Sequence, residues 1–457
     1  MLRLYRVSWA LALGICICHV LSLTLVINFD GDWYVNLADM LGTNRFPAQW
    51  DFLRGPLFPA FLKLVFWLFG RQALAVIGLQ VCLAGAGIYL LASRLRTINR
   101  PIQASVCVLL LSAYPTLIAY EHALLTEVGT FFFLSLLVYA LTDRNQNILR
   151  GAFCVAIVIA AGYYFRSSLL YLAPLAGIIY VLPIVRSMWT ERRDGDRLLR
   201  HALVAFLTIT AVPFLLAYPW QRNPLVSTRT GQAVLLFGLV KSSVLPPDDP
   251  ILDSATSAIY RKAIEDSRSH GRFPANGLQN GWEWSVIGPI YNDGSSASSI
   301  FIRIVRTHPV RYFRGVARNI LLLSGFSGFH YDNALLRTSV LSHGGGKIDR
   351  GPPWFPPLGE EFRRDETTSF TARALEIASP FYDWLVLFGF VATLIAFVVG
   401  VWRLDGTVLA FTAIPLAFML LHACLLMSQD RMALPTYPLF LTNLIMLPAY
   451  LKPKARC

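Results

Sequence analysis

The sequence is poor in charged residues: only 15% of its 457 residues are charged, whereas 55% are hydrophobic. Soluble globular proteins usually have about a quarter charged residues, so this composition excludes a soluble globule. Apolar stretches of about 18 residues or more recur towards both ends of the chain, and each is long enough to cross the hydrocarbon core of a bilayer. The sequence therefore predicts an all-α polytopic membrane protein.

Several other signals are missing from the chain. The long polar region between the apolar stretches contains no cysteine, so disulfides do not cross-link it. No CxxC pair or zinc-ligand spacing occurs, and no Asn-x-Ser/Thr glycosylation site lies in the predicted outer loops. The last absence favours a bacterial inner membrane over a eukaryotic secretory membrane. The net charge is +13, but no basic low-complexity tail accompanies it, which favours anionic lipid over nucleic acid as the partner.

The apolar pattern predicts about ten transmembrane helices, at residues 8–27, 73–93, 102–120, 124–142, 149–165, 168–185, 201–219, 382–402, 407–427 and 433–451. The fifth and sixth form one apolar run interrupted at Arg166, so they are expected to fold as a hairpin with Arg166 at the turn. Two further apolar pieces, 57–69 and 310–326, are predicted to lie in the membrane interface rather than to cross it. In the second piece, Arg311, Arg314 and Arg318 fall on one helical face.

These spans divide the chain into three parts. Residues 1–219 form an N-terminal transmembrane module with a first outer loop at 28–72, and residues 381–457 form the C-terminal transmembrane helices. Between them, residues 220–380 are a mixed extracytoplasmic region, soluble and partly helical near 254–267. Because Lys and Arg are concentrated in one set of alternate loops and at both termini, both termini are predicted to be cytoplasmic in a multi-pass inner (plasma) membrane protein.

On the opposite, extracytoplasmic side, acidic residues and histidines lie next to spans together with a few arginines. They are Asp30, Asp32, Arg54, Glu121, His122, Glu127, Arg166, His422, Asp430 and Arg431. Charges buried in hydrocarbon are costly and usually functional, so this set predicts a reaction centre where several helix ends converge.

Structural alternatives exist for members of this set. Arg54 and Arg166 could be interfacial anchors, and Arg431 could simply pair with Asp430. Glu127 is expected to pair with Arg166 or with His122. His19 and His422 are interpreted as hydrogen-bonded to neighbouring helices rather than catalytic. A solvated turn would explain the adjacent pair Glu121 and His122 equally well.

The segment after the first span reads Phe-Asp-Gly-Asp-Trp-Tyr, with Asp30 and Asp32 two residues apart. On an extended stretch, both carboxylates can face one pocket, where one acts as a general base and the other binds a sugar hydroxyl or a divalent cation. Alternatively, the two aspartates cap a helix that begins near Trp33, because Asp is a favoured N-cap residue.

Several of these motifs together resemble the GT-C class of polyprenyl-phosphate-sugar-dependent glycosyltransferases, which includes the protein O-mannosyltransferases and the lipid A aminoarabinose transferases. Asp30 lies four residues before Tyr34, as the acidic motif of the first outer loop does in that class. The other similar motifs are Arg54-Gly-Pro-Leu-Phe-Pro59, Leu125-Thr-Glu127, Arg166, His308-Pro309 and Asp430-Arg-Met-Ala-Leu-Pro435. Gly31 and Met432 depart from the pattern, since an acid and a Tyr are usual at these positions.

The resemblance implies an inverting hexosyl or pentosyl transferase (EC 2.4-type) that uses a polyprenyl-phosphate-linked sugar donor. The acceptor would be an envelope glycan, a lipid or a protein, and the active site would face away from the cytoplasm. Asp30 would be the catalytic base, assisted by Asp32. The substrate-binding residues would be Arg54, His122, Glu127, Arg166 and Arg431. The resemblance implies no definite cofactor. If a divalent cation such as Mg²⁺ or Mn²⁺ binds, Asp30 and Asp32 are its expected ligands.

Two other functions are compatible with a polytopic membrane protein. A transporter or flippase of lipid-linked saccharides is the main alternative, but transporters bind their substrate near the midplane, where these spans carry almost no charge. A non-catalytic envelope scaffold would leave the one-sided cluster of ionisable residues without a role.

Overall fold

The structure is a computed structural model in which residues 2–23, 25, 29–42, 50–51, 55–98, 100–143, 147–191, 195–223, 226–227, 235–240, 242–269, 297–324, 370–426 and 430–452 are described. These residues are mainly helical. The one strand pair among them is short and parallel: β1 (Trp50–Asp51) and β2 (Val226–Ser227) pair in the register Trp50 to Val226.

Ten helices and one 3₁₀ turn make up the N-terminal half. They are α1 (Leu2–Ser22), α2 (Phe29–Met40), α3 (Leu57–Phe69), α4 (Ala73–Thr97), α5 (Pro101–Ser112), α6 (Pro115–Glu121), α7 (Glu127–Thr142), α8 (Ile148–Phe165), a 3₁₀ turn (Ser167–Leu172), α9 (Ala173–Glu191) and α10 (Gly195–Gln221).

The C-terminal half has three helices outside the predicted spans and three within them. They are α11 (Ser254–Ser269), α12 (Ala297–Thr307), α13 (Pro309–Leu323), α14 (Phe370–Arg403), α15 (Gly406–Cys424), a 3₁₀ segment (Asp430–Thr436) and α16 (Tyr437–Leu451).

The prediction of an all-α polytopic membrane protein is confirmed. Within the described ranges, eight helices are long and apolar enough to cross a membrane, and there are nine if the bent pair α5 and α6 counts as one span. The remaining predicted span, 124–142, corresponds to α7, which is apolar but has only 16 residues. The domain boundaries at 219 and 381 stay a prediction.

Some helices differ from the predicted spans for local reasons. The span predicted at 102–120 is broken and bends by 58° before Pro115, since proline lacks the N–H that would continue the helical hydrogen bonds. Helix α14 begins at Phe370, twelve residues before the predicted start at 382. Its first turns contain Arg373 and Glu376, so the helix extends beyond the apolar part of its sequence.

The hairpin prediction is confirmed, and the two apolar pieces predicted for the interface are helical, whereas their position in the membrane interface stays a prediction. The hairpin turns at Arg166, which has extended backbone dihedrals between α8 and the 3₁₀ turn. The apolar piece 57–69 is helix α3, which ends at Gly70 with φ +69°, a conformation that favours glycine. The piece predicted at 310–326 is helix α13.

The helix termini form two ends of the bundle. At the first, which we call the Arg166 end, the hydroxyl of Ser22 lies 3.0 Å from that of Thr371, and the Tyr312 hydroxyl donates to the Cys424 carbonyl at 2.9 Å. At the second, the opposite end, the Tyr180 hydroxyl donates to the Ile148 carbonyl at 2.8 Å. These contacts place the end of α1, the start of α14 and the end of α15 at the Arg166 end, and the start of α8 at the opposite end.

Candidate functional site

The buried Asp, Glu, His and Arg side chains of the described residues all lie at the Arg166 end. They are His19, Glu121, His122, Glu127, Arg166, Asp249 and His422. Buried ionisable side chains in a membrane protein are expensive unless they are paired, so their restriction to one end marks the region where the chain carries a functional constraint.

Arg166 and Glu127 form an ion pair at the centre of this region. The guanidinium Nη1 of Arg166 lies 3.4 Å from Oε1 of Glu127, and the side chains are only 11% and 4% exposed. Glu127 is the first residue of α7, where the positive end of the helix dipole favours a carboxylate. Of the two partners predicted for Glu127, Arg166 is therefore confirmed.

The ion pair does not use the full hydrogen-bonding capacity of either side chain. Within the described part of the chain, Nη1 of Arg166 makes the ion-pair contact but no hydrogen bond, and Oε2 of Glu127 has no hydrogen-bond partner. The other guanidinium nitrogen, Nη2, donates to the sulfur of Met432, which is a weak acceptor. A guanidinium has five N–H donors in a planar fork that matches phosphate oxygens, so this arrangement can accept an anionic group.

The Met432 contact brings the 430–436 segment to Arg166. In the sequence, Met432 only marked a departure from the GT-C pattern, and nothing there indicated a contact with Arg166. Asp430 and Arg431 precede it in the same 3₁₀ segment, but their side chains lie outside the described residues. The substrate-binding role predicted for Arg431, and the alternative that it pairs with Asp430, therefore both stay predictions.

The first outer loop also meets the chain beside Arg166. A Cβ added to Gly55 would lie 1.9 Å from the carbonyl oxygen of Tyr164, so the two backbones are in direct contact. The ring of Phe58 packs between Tyr34 and Phe165, at centroid distances of 5.0 and 5.4 Å. This chain of contacts joins α2 and α3 to the end of α8, one residue before Arg166.

The acidic motif lies on the helix joined in this way. Asp30 and Asp32 belong to α2, which begins at Phe29. The extended stretch expected for the two aspartates is therefore wrong, because the backbone is already helical there. The alternative of a helix starting near Trp33 is wrong for the same reason. The side chains of Asp30 and Asp32 lie outside the described residues, as does Arg54, so the roles expected for them stay predictions.

His122 belongs to a second polar group next to α1. Nδ1 of His19 lies 3.0 Å from Nε2 of His122, and Nε2 of His19 lies 3.2 Å from Oε2 of Glu121. Glu121 is only 6% exposed and His122 is fully buried, so the solvated turn considered for this pair is wrong. The prediction that neighbouring helices satisfy His19 is confirmed. Because about a hundred residues of the chain separate His19 from His122, no local sequence pattern predicts their contact.

The turn that leads from this group to Glu127 is fixed by a glutamine. The side-chain amide of Gln80 donates to the carbonyls of Ala123 and Leu125, at 2.8 and 2.9 Å. Nδ1 of His422 donates to the carbonyl of Phe418 in its own helix, so this hydrogen bond is not the contact with a neighbouring helix that was predicted for His422. No group of three metal-ligating His, Cys, Asp or Glu side chains occurs among the residues that the structure describes.

Comparison with known proteins gives weak structural likenesses. No family model matches the chain, and no curated protein matches it by sequence. The structure is similar to crystal structures of ArnT from Cupriavidus metallidurans in the apo state (12% identity, 96% of this chain and 76% of that chain covered, TM-score 0.35) and bound to undecaprenyl phosphate (14%, 97% and 77%, 0.35).

It is also similar to the archaeal oligosaccharyltransferase AglB from Archaeoglobus fulgidus in complex with an inhibitory peptide and a dolichol-phosphate. The identity is 13% and the TM-score 0.42, over 96% of this chain and 50% of that chain. The likenesses are too weak for any residue to take its role from them.

Proposed function

We propose that this protein is an inverting membrane glycosyltransferase of the GT-C class, which transfers a hexosyl or pentosyl group from a polyprenyl-phosphate donor. The observation that carries the proposal is the buried Arg166 guanidinium, which has an unused donor and lies where the first outer loop and the 430–436 segment meet. The motifs that resemble the GT-C class fall in these same segments.

In this proposal, the acceptor hydroxyl oxygen attacks the anomeric carbon of the donor. The bond from that carbon to the phosphate oxygen breaks, and the polyprenyl phosphate leaves with the electron pair. The carboxylate of Asp30 takes the hydroxyl proton. Arg166 stabilises the developing charge on the phosphate, and Arg54 and Arg431 are assigned the same role. His122 lines the site through its neighbour Glu121.

Glu127 has a positioning role next to Arg166. Its Oε1 fixes the guanidinium, and its Oε2 remains available for a sugar hydroxyl. A buried charge that is paired in this way keeps its orientation before substrate arrives, which lowers the reorganisation needed in the transition state.

The Arg166 end is assigned to the extracytoplasmic side of an inner membrane, with both termini in the cytoplasm. The acceptor class is an envelope glycan, a lipid or a protein. The transporter alternative is disfavoured because the buried charges of the described chain cluster at one end of the bundle, away from the midplane site that transporters use.

The test is sugar transfer by the purified protein in proteoliposomes, with a radiolabelled polyprenyl-phosphate sugar and an extract of envelope acceptors. Loss of the general base in Asp30→Asn is expected to lower transfer by about 10²- to 10⁴-fold. Release of polyprenyl phosphate is measured in parallel, since a flippase moves its lipid intact. Equal transfer by Asp30→Asn and the wild type would eliminate Asp30 as the base.

A further inference from the structure

Helix α13 lies at the Arg166 end and packs against the rest of the protein through one of its faces. Gly315, Val316, Asn319, Leu322 and Leu323 are buried. A Cβ added to Gly315 would lie 2.8 Å from the side chain of Val244, so the helix is closely packed against the 242–269 region. Its exposed side is therefore held in a fixed orientation.

The exposed side of α13 is apolar along one strip. Val310, Phe313 and Leu321 are 69%, 65% and 54% exposed, and Ala317 is exposed between them. Exposed large apolar residues on consecutive turns mark a surface that contacts an apolar phase. In a chain with membrane spans on both sides of this helix, that phase is the acyl region of the bilayer.

A basic strip borders the apolar one. Arg311, Arg314 and Arg318 follow at helical spacing, and residues 297–323 contain five arginines and no acidic residue. One of the five, Arg303, is neutralised by Asp249 through two hydrogen bonds of 2.8 and 3.1 Å.

Arg311 and Arg314 are exposed, and Arg318 is partly buried. Burial and the neighbouring guanidinium of Arg314 lower the pKa of Arg318. Guanidinium groups that are held close together in this way create a positive potential, which attracts an anion.

We propose that this face of α13 binds the headgroups of anionic phospholipids, with the phosphate between Arg311 and Arg314 and the acyl chains over Val310 and Phe313. Charge complementarity identifies the ligand, and the adjoining apolar strip identifies it as a lipid in a bilayer. The surface is open on its lipid side. It therefore suits exchangeable phospholipids better than a donor lipid, whose phosphate needs an enclosed cation such as Arg166, only 9% exposed.

The neighbouring helix α11 provides a matched control. Arg261 and Lys262 are exposed there, and the pair carries the same charge as the exposed pair Arg311 and Arg314 on α13. No large apolar side chain of α11 is among the exposed hydrophobic residues, and Asp253 and Glu265 balance its charge. Removing two charges from α11 therefore changes the net charge equally without touching the proposed surface.

The experiment uses the full-length protein in nanodiscs of dioleoyl phosphatidylcholine with increasing dioleoyl phosphatidylglycerol, and native mass spectrometry counts the retained phosphatidylglycerol. Each arginine near a bilayer surface contributes about fivefold to anionic lipid affinity. The apparent affinity for the first phosphatidylglycerol is therefore expected to fall about 25-fold in Arg311→Gln/Arg314→Gln. It should be nearly unchanged in Arg261→Gln/Lys262→Gln and in Arg311→Lys/Arg314→Lys.

Two results would overturn the proposal. One is equal retention of phosphatidylglycerol by the α13 and α11 double variants. The other is displacement of phosphatidylglycerol by undecaprenyl phosphate at equal concentration, which would assign the surface to the donor lipid. Thermal unfolding of each variant in detergent accompanies the lipid measurement, and a double variant that unfolds early is replaced by the single variants Arg311→Gln and Arg314→Gln, each expected to lower the affinity about fivefold.

Discussion

Charged residues at the two ends of the bundle have different partners. At the opposite end, Arg403 donates to the carbonyls of Tyr450 and Lys452, at 2.6 and 3.0 Å, and Arg186 donates to the carbonyl of Arg403. At the Arg166 end, side chains of opposite charge pair with each other inside the protein. Cations at helix C-termini are explained by the helix dipole and by membrane orientation. Buried ion pairs need another reason, which the proposed chemistry supplies.

The largest expected effect comes from removing the cation of the buried pair. Arg166→Gln is expected to lower sugar transfer by about 10²- to 10³-fold, because a fixed donor to the leaving phosphate is lost. It should also lower the free energy of unfolding by about 3–5 kcal/mol, because Glu127 stays buried without its partner.

A double variant separates these two effects. In Arg166→Gln/Glu127→Gln, no charge is left unpaired, so most of the stability should return while transfer stays low. Proteoliposome transfer assays and denaturant unfolding measure the two quantities. If transfer recovered together with stability, Arg166 would have only the structural role of the arginines at the opposite end.

The second prediction tests the contact of the first outer loop with α8. In Gly55→Ala, the new Cβ would lie 1.9 Å from the Tyr164 carbonyl oxygen, so the backbone next to Arg54 must move. We expect transfer to fall about tenfold or more, with a stability loss of about 1–3 kcal/mol for overpacking.

Gly85→Ala in α4 is the matched control, because nothing lies within 4 Å of its added Cβ. Transfer by this variant should equal that of the wild type. A Gly55→Ala protein with full activity would show that the loop contact does not position the site.

The third effect concerns the group of His19, Glu121 and His122. Glu121→Leu and His19→Leu are each expected to lower the free energy of unfolding by about 1–3 kcal/mol, since each leaves a buried polar partner unsatisfied. The double variant should cost less than the sum, because both residues belong to one network. Additive losses in urea unfolding would instead mean that the two side chains act independently.

Some features of the fold could be predicted from the sequence. Spans and the hairpin at Arg166 follow from apolar length and from the position of single charges, which are local properties. The bend at Pro115 also has a local cause, the proline itself, but the span prediction treated the whole segment as one straight helix.

Contacts between distant residues could not be predicted in the same way. His19 covers Glu121 and His122 because two helices far apart in the chain pack together, and Met432 reaches Arg166 for the same reason. The helical backbone at Asp30 and Asp32 was missed because Gly31 and the two aspartates are poor helix formers, so local preference argued against it.

The smallest expected effect is at the opposite end. Arg403→Gln removes hydrogen bonds to the last carbonyls of α16, and we expect a stability loss of about 1 kcal/mol with unchanged transfer. The reason is that its partners are backbone carbonyls, which water can also satisfy once the helix end is exposed. The stability loss is measured by thermal unfolding and transfer by the proteoliposome assay. A strong loss of transfer per folded molecule would mean that the two ends are coupled, and that the charges at the opposite end do more than orient and stabilise the bundle.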